Sequence, residues 1–318
     1  MPPRRRFGKR LVRSLFPIVL VILVALLGSL GFIVYCVTHP AKRAYLVTPQ
    51  SFSQVSPIVL NVSDETWANH DGTRARGWLL KGTAGAPAVV LLHRYGADRS
   101  WLFNLGVKIN ENTGYTILWP DLRGHGQSPL VRWSSLGSLE DDDLLAALDF
   151  LRNLKTESKT KLVRDSFGVY GVELGAYSAL KAAQPDNQIR VLVLDSVPAS
   201  ADDILNSAVT GCVGVDNSLL NFASRLATRV YLLGHYENTT SCEAAGSLRD
   251  QRVLLLSGAD AGPLKDDTIS VQHCFPNRAN IEVRTDLPLS GLNITSATGE
   301  QGDSYDRIVI EYFIRNLQ

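Results

Sequence analysis

Apolar residues are spread unevenly along the chain. Residues 15–37 are almost wholly apolar and carry no charge, and Arg4, Arg5, Arg6, Lys9, Arg10 and Arg13 precede them. At a rise of ~1.5 Å per residue about 20 residues cross a bilayer, so this run predicts one transmembrane helix. The run is longer than the apolar core of a cleaved signal peptide, and no Ala-x-Ala-like site is evident, which favours a retained signal anchor. The basic residues 1–14 before the span outnumber Lys42 and Arg43 after it, which predicts a cytoplasmic N-terminus and an extracytoplasmic remainder.

Residues 38–57 hold Pro40, Pro49 and Pro57 without a clear period and read as a linker. From residue 58 onward, short apolar runs alternate with stretches of helical period. Two strand-like runs flank Asp71-Gly72, a hairpin signal because such turns need residues that tolerate positive φ. Residues 88–92, Ala-Val-Val-Leu-Leu, form a continuous apolar run of the kind covered on both faces of a parallel sheet. Residues 115–120, 169–172, 191–194, 253–256 and 281–284 add further strands. Ser138 and the acidic run 140–143 mark a helix start, and Leu144, Leu145, Leu148 and Leu151 its apolar face. Residues 305–317 predict a closing amphipathic helix. Residues 197–250 contain helical stretches and no strong strand, so they are expected to form a small cap insertion over the sheet. The alternation predicts an α/β domain over 58–318. Its central sheet is mostly parallel and flanked by helices, with ligands beyond the strands' C-terminal ends.

Composition narrows the function classes. The formal net charge of the 318 residues is +1, which gives no basic field for nucleic acid. No Cys/His spacing resembles a metal site, and no cofactor motif is present. Cys36 falls inside the predicted span, which leaves Cys212, Cys242 and Cys274; outside the cytoplasm a Cys212–Cys242 disulfide is permitted. Asn61-Val62-Ser63, Asn238-Thr239-Thr240 and Asn293-Ile294-Thr295 match the N-glycosylation tripeptide, a pattern short enough to arise by chance.

The most constrained stretch is 169–176, Val-Tyr-Gly-Val-Glu-Leu-Gly-Ala, where a strand runs through Gly-x-Glu-x-Gly into a helix. Two other motifs end strands: His93-Arg94-Tyr95-Gly96, and Asp121-Leu122-Arg123-Gly124-His125-Gly126-Gln127-Ser128. With these three in order, the chain from about 62 to 318 resembles the α/β-hydrolase superfamily, in particular membrane-anchored serine-peptidase-like or esterase-like members. The first motif stands where that superfamily carries its nucleophile elbow, Gly-x-Ser-x-Gly.

The resemblance implies a serine nucleophile, a histidine base, an orienting acid and two oxyanion-hole N–H donors. Carried over by position, Glu173 stands in place of the serine, and the donors are the N–H groups of Leu174 and Tyr95. Arg94 replaces the usual glycine after the motif histidine and brings a cation close enough to partner Glu173. The acid is Asp260, with Asp195 as the alternative. Leu292 occupies the place of the histidine, since residues 290–295 read Ser-Gly-Leu-Asn-Ile-Thr. Two of three triad positions therefore lack the expected chemistry. The first expectation is a membrane-tethered, catalytically impaired protein acting as a binding or regulatory module, with a small-molecule or peptide ligand. The alternatives are a hydrolase of small esters, amides or peptides using Glu173 or a non-standard base, and a domain that presents 197–250 to a protein partner. Glutamate as nucleophile meets an obstacle: its extra methylene misplaces the attacking oxygen relative to the aspartate some relatives use.

Overall fold

The computed structural model describes residues 5–55, 60–236 and 239–317. Pro57 and Ile58, where the domain boundary was expected, and Asn238 lie outside the described residues.

Helix α1, Arg5–Thr38, is one long helix; its part Arg13–Thr38 contains an 18-residue stretch of mean hydropathy 2.8 and is long and apolar enough to cross a membrane. Its last turns differ from the rest. Ile33, Val34, Val37 and Thr38 are buried against the globular domain. The following segment is more ordered than a featureless linker. Tyr45 and Phe52 pack edge-on against Trp78 and Phe103, and Pro49–Val55 forms a short helix, α2.

The domain is built on eight strands: β1 Val62–Ala68, β2 Arg74–Leu80, β3 Ala86–Leu92, β4 Thr116–Pro120, β5 Val163–Val172, β6 Ile189–Asp195, β7 Arg252–Gly258 and β8 Ile281–Leu287. They lie in the order β1-β2-β4-β3-β5-β6-β7-β8. β2 runs antiparallel to β1 and β4, and every other pairing is parallel. Gly72, at φ +81°, makes the tight β1–β2 turn that Asp71-Gly72 predicted.

Helices α3 Phe103–Thr113, α4 Glu140–Arg152, α5 Leu174–Ala182, α9 Pro263–Gln272 and α10 Gly299–Asn316 flank the sheet. The closing helix starts six residues before the expected 305, because Thr298 and Gln301 form a capping box there. Between β6 and β7 the cap folds as α6 Ala201–Val213, α7 Ser218–Tyr231 and α8 Ser241–Ser247. Apolar clusters fill both sheet faces, with β3, β5 and β6 contributing alternate side chains to each.

The cysteines pair as Cys36–Cys212 and Cys242–Cys274. This corrects the expected Cys212–Cys242 bridge. Cys36 sits in the part of α1 that enters the domain, where α1 packs on α6, and Cys242 opens α8, which packs on α9.

Candidate active site

β5 delivers Glu173 into a sharp turn at φ +48°, ψ −103°, and α5 leaves directly from it. A non-glycine residue in this region costs on the order of 1–3 kcal/mol and persists only where its surroundings enforce it. The two flanking glycines show how. A Cβ on Gly171 would lie 2.4 Å from the Gly175 carbonyl oxygen, and one on Gly175 would lie 2.3 Å from that of Leu92. Strand, turn and helix can approach this closely only without those carbons.

The Glu173 side chain is buried, and its carboxylate turns back onto main-chain donors. Tyr95 N–H donates to Glu173 Oε2 at 2.8 Å, and the Leu174 N–H also faces the carboxylate. Burial raises the pKa of Glu173, while the Tyr95 N–H, the Arg94 charge and the Leu174 N–H act to lower it; the net direction is upward. Arg94 is near enough to exert that charge, yet no direct ion pair joins it to Glu173 among the described residues. Its guanidinium stacks 4.7 Å from the Trp101 ring centroid and donates to the Tyr95 carbonyl at 3.1 Å. The expected Arg94–Glu173 partnership is thus an electrostatic neighbourhood rather than a bridge.

Two buried histidines set the loop that carries Tyr95. His93 Nδ1–H donates to the Arg94 carbonyl at 2.8 Å, and its Nε2 accepts from Leu122 N–H at 3.1 Å. His125 Nδ1–H donates to the Arg123 carbonyl at 2.9 Å, and its Nε2 accepts from Gly96 N–H at 3.0 Å. Each ring donates once and accepts once, which requires the neutral form. Burial accordingly lowers His93 to about 4 and His125 to about 3. The Tyr95 hydroxyl reaches out of the site and donates to the Val37 carbonyl of α1 at 2.7 Å.

Across the site, Asp260 follows β7. Its Oδ1 accepts from Ser290 N–H at 2.7 Å, and its Oδ2 accepts from Ser290 Oγ at 3.0 Å and Asn293 Nδ2 at 2.7 Å. Asp195, the alternative acid, is committed elsewhere. Its Oδ2 accepts from Gly291 N–H at 2.9 Å and the Tyr305 hydroxyl at 2.6 Å, and its Oδ1 from Ser196 Oγ at 2.7 Å. Burial raises Asp195 to about 6. A cleft of about 540 Å³ opens over Glu173 and Arg94; Leu292 and Asn293 line it from the loop after β8, and Ile204, Asn206 and Thr210 from α6.

No known family profile matches the chain. The thiohydrolase aneE of Aspergillus aculeatus is 26% identical over 124 residues, which are 39% of this chain and 37% of that protein's length. An esterase of Pyrococcus furiosus superposes with a TM-score of 0.64 at 18% identity, covering 88% of this chain and 98% of that one. The acylaminoacyl peptidase of Pyrococcus horikoshii gives 0.58 at 14% identity, over 84% of this chain and 43% of that one. Est1E of Butyrivibrio proteoclasticus, solved with ferulic acid, gives 0.57 at 14% identity, over 79% and 98%. The chain has the α/β-hydrolase fold.

In an α/β-hydrolase fold the turn after β5 is the elbow, and the loops after β7 and β8 face it. Glu173 lies in the turn after β5, Asp260 in the turn after β7, and residues 288–298 in the loop after β8. Leu292 and Asn293 are neighbours in this loop with different surroundings. Leu292 packs, partly buried, against an apolar cluster of the sheet and contributes to the cleft wall, and the side chains that donate to the acid are Ser290 and Asn293. Asn293 was missed because only the glycosylation tripeptide drew attention to it. The signal that could have found it is its polarity next to an apolar residue in the loop facing the acid. The remaining histidines stand apart from this chemistry: His70 bridges Asp142 at 2.7 Å and Asp149 at 3.0 Å on the surface, His273 caps the end of α9, His39 follows α1, and His235 is exposed in the segment after α7.

Proposed function

We propose that the protein is a membrane-anchored α/β-hydrolase-fold module that binds a small molecule or peptide and does not hydrolyse it. The observation that carries this reading is the 2.8 Å hydrogen bond from Tyr95 N–H to the Glu173 carboxylate. In a working member of the fold, that N–H and that of Leu174 would hold the oxyanion of an acyl intermediate. Here a resident carboxylate takes the same donors, so the seat is filled before any carbonyl arrives. The opposite side offers no imidazole among the described residues: an amide, Asn293, donates to Asp260 where a histidine base would be needed. Asparagine has no pKa near neutrality and cannot shuttle a proton. Cys36–Cys212 and Cys242–Cys274 support an oxidising compartment for the domain, in keeping with a cytoplasmic N-terminus.

The test is turnover of a panel of activated esters and thioesters by the full chain in lipid nanodiscs, with Glu173→Gln as comparison. The expected result is no turnover above buffer for either protein. Turnover by the wild type that Glu173→Gln abolishes would make Glu173 a nucleophile and overturn the reading. Turnover that survives in Glu173→Gln would point to a base elsewhere.

A further inference from the structure

Away from the cleft, α7 reverses the burial pattern of an ordinary surface helix. Leu219, Phe222, Leu226 and Val230 recur on one side of it and are 74%, 61%, 57% and 66% exposed, and Leu233 just beyond its end is 84% exposed. The inward side carries Asn221, Ser224 and Thr228, all buried. Ser224 Oγ, Thr228 Oγ1 and Asn221 Oδ1 find no hydrogen-bond partner among the described residues. In water this arrangement is unfavourable twice over. Each large apolar side chain left out forgoes the gain of leaving water, and each unpartnered buried hydroxyl has given up its hydrogen bonds to water without replacement.

In hydrocarbon the same pattern is the favourable one. Apolar side chains face lipid, and small or polar ones lie in the helix–helix contact. α7 packs against α6 and against α1, the candidate membrane span. The Cys36–Cys212 bridge ties the end of that span to α6, and Gly214 ends α6 just before α7 begins. Leu26, Leu27, Phe32 and Tyr35 of α1 are likewise exposed. α7 therefore sets its apolar stripe on a helix packed against a span whose own apolar side chains are exposed. Arg225 and Arg229 leave the stripe clear by reaching inward to Asp202, at 3.2 and 3.7 Å.

We propose that α7 lies in the surface of a phospholipid bilayer with its Leu219, Phe222, Leu226 and Val230 side chains among the acyl chains, so that the cap rests on the membrane α1 crosses. The apolar stripe supplies the attachment, and anionic headgroups are not required. α6, which lines the cleft, is then part of a membrane-resting cap.

The proposal rests on α1 being a span, and the experiment separates the two. All four native cysteines are paired, so a single introduced thiol can be labelled with an environment-sensitive fluorophore. Leu226→Cys, Leu219→Cys and Phe222→Cys report on the stripe, Leu23→Cys on the span, and Glu157→Cys on the exposed turn before β5. Each full chain is placed singly in phosphatidylcholine nanodiscs containing a lipid with a nitroxide on its acyl chain. The stripe labels are expected to be quenched several-fold more than the Glu157 label and to approach the Leu23 label. Quenching of the Leu23 label with stripe labels no different from Glu157 leaves the span standing and overturns the proposal. Stripe labels shielded only in discs holding two chains would assign the face to a second copy and overturn it as well. An unquenched Leu23 label would remove the span, and the proposal with it. Agreement among the three stripe positions guards against one substitution distorting the helix.

Discussion

The elbow side of the cleft and the β7–β8 side are held by different materials. On the elbow side the decisive groups are main-chain N–H donors, placed by two glycines and two neutral histidines. On the β7–β8 side they are single side chains, Asp260, Leu292 and Asn293, in a loop pinned by Ser290 and Gly291. A seat made of backbone stays in place whatever side chain occupies the elbow, so Glu173 can use it. Proton transfer made of one side chain vanishes with that side chain.

The sharpest way to break this contrast is to spoil the backbone. Gly175→Ala puts a carbon against the Leu92 carbonyl at 2.3 Å, a contact that neither partner can relieve by rotating a side chain. The expected loss of stability exceeds about 3 kcal/mol, read as a fall in the thermal midpoint or failure to accumulate folded protein. Asn293→Ala removes one exposed hydrogen bond and is expected to cost about 1 kcal/mol or less.

The two sides also respond to acid in opposite senses. His93 is held near 4 and His125 near 3 by burial, against about 6.5 when unfolded. The unfolded chain therefore takes up protons that the folded chain refuses, and the stability these residues contribute above 6.5 is lost as pH falls through about 4. Asp195 behaves inversely. Burial raises it from 3.8 to about 6, so its contribution is present below 3.8 and lost as pH rises through about 6. Chemical denaturation between pH 4 and 6 should show a shallower rise of stability with pH in His93→Gln and a steeper one in Asp195→Asn, each by up to roughly 3 kcal/mol across its window. Asp143, also raised to about 6, is common to both variants and drops out of the comparison.

A gain of function sharpens the contrast further. Glu173→Ser alone should remain inactive, because nothing near the elbow takes its proton. Joined to Asn293→His, which puts an imidazole beside Asp260, it should hydrolyse an activated ester about 100-fold faster than either single variant, equivalent to about 2.7 kcal/mol in the barrier. Replacing Asn293→His by Leu292→His in that pair should give no such gain, since the side chain at 292 packs against the apolar cluster and the one at 293 reaches the acid.

The sheet was legible because its signals are local. The run 88–92 and Gly171 with Gly175 can be built only one way, as buried strand and tight turn. What escaped depended on tertiary register. Gly291 lies too close to Tyr170 and Val172 for a Cβ and donates to Asp195, Leu292 packs against the apolar cluster at the cleft wall, and Asn293 is left for the acid. Cys36 was set aside as a residue of the span, although the span's last turns belong to the domain. In α7 the spacing of Leu219, Phe222 and Leu226 announces a helix, but spacing carries no sign: it cannot say whether the apolar side faces in or out.

The smallest effect concerns Arg94, a cation that faces the filled seat. It pulls Glu173 toward ionisation from a distance, and its guanidinium is occupied with Trp101 and the Tyr95 carbonyl. Arg94→Met keeps an unbranched chain over the indole and removes the charge. The Glu173 pKa should rise, because burial is then opposed only by the N–H groups of Tyr95 and Leu174. The rise should fall short of the roughly 1–3 units that a carboxylate in a direct ion pair would show. Infrared difference spectra, with Glu173→Gln to assign the protonated carbonyl band, measure it. A fall would mean that the arginine's dominant act is to block water from the carboxylate, and a shift of several units would mean that the two groups pair directly in solution.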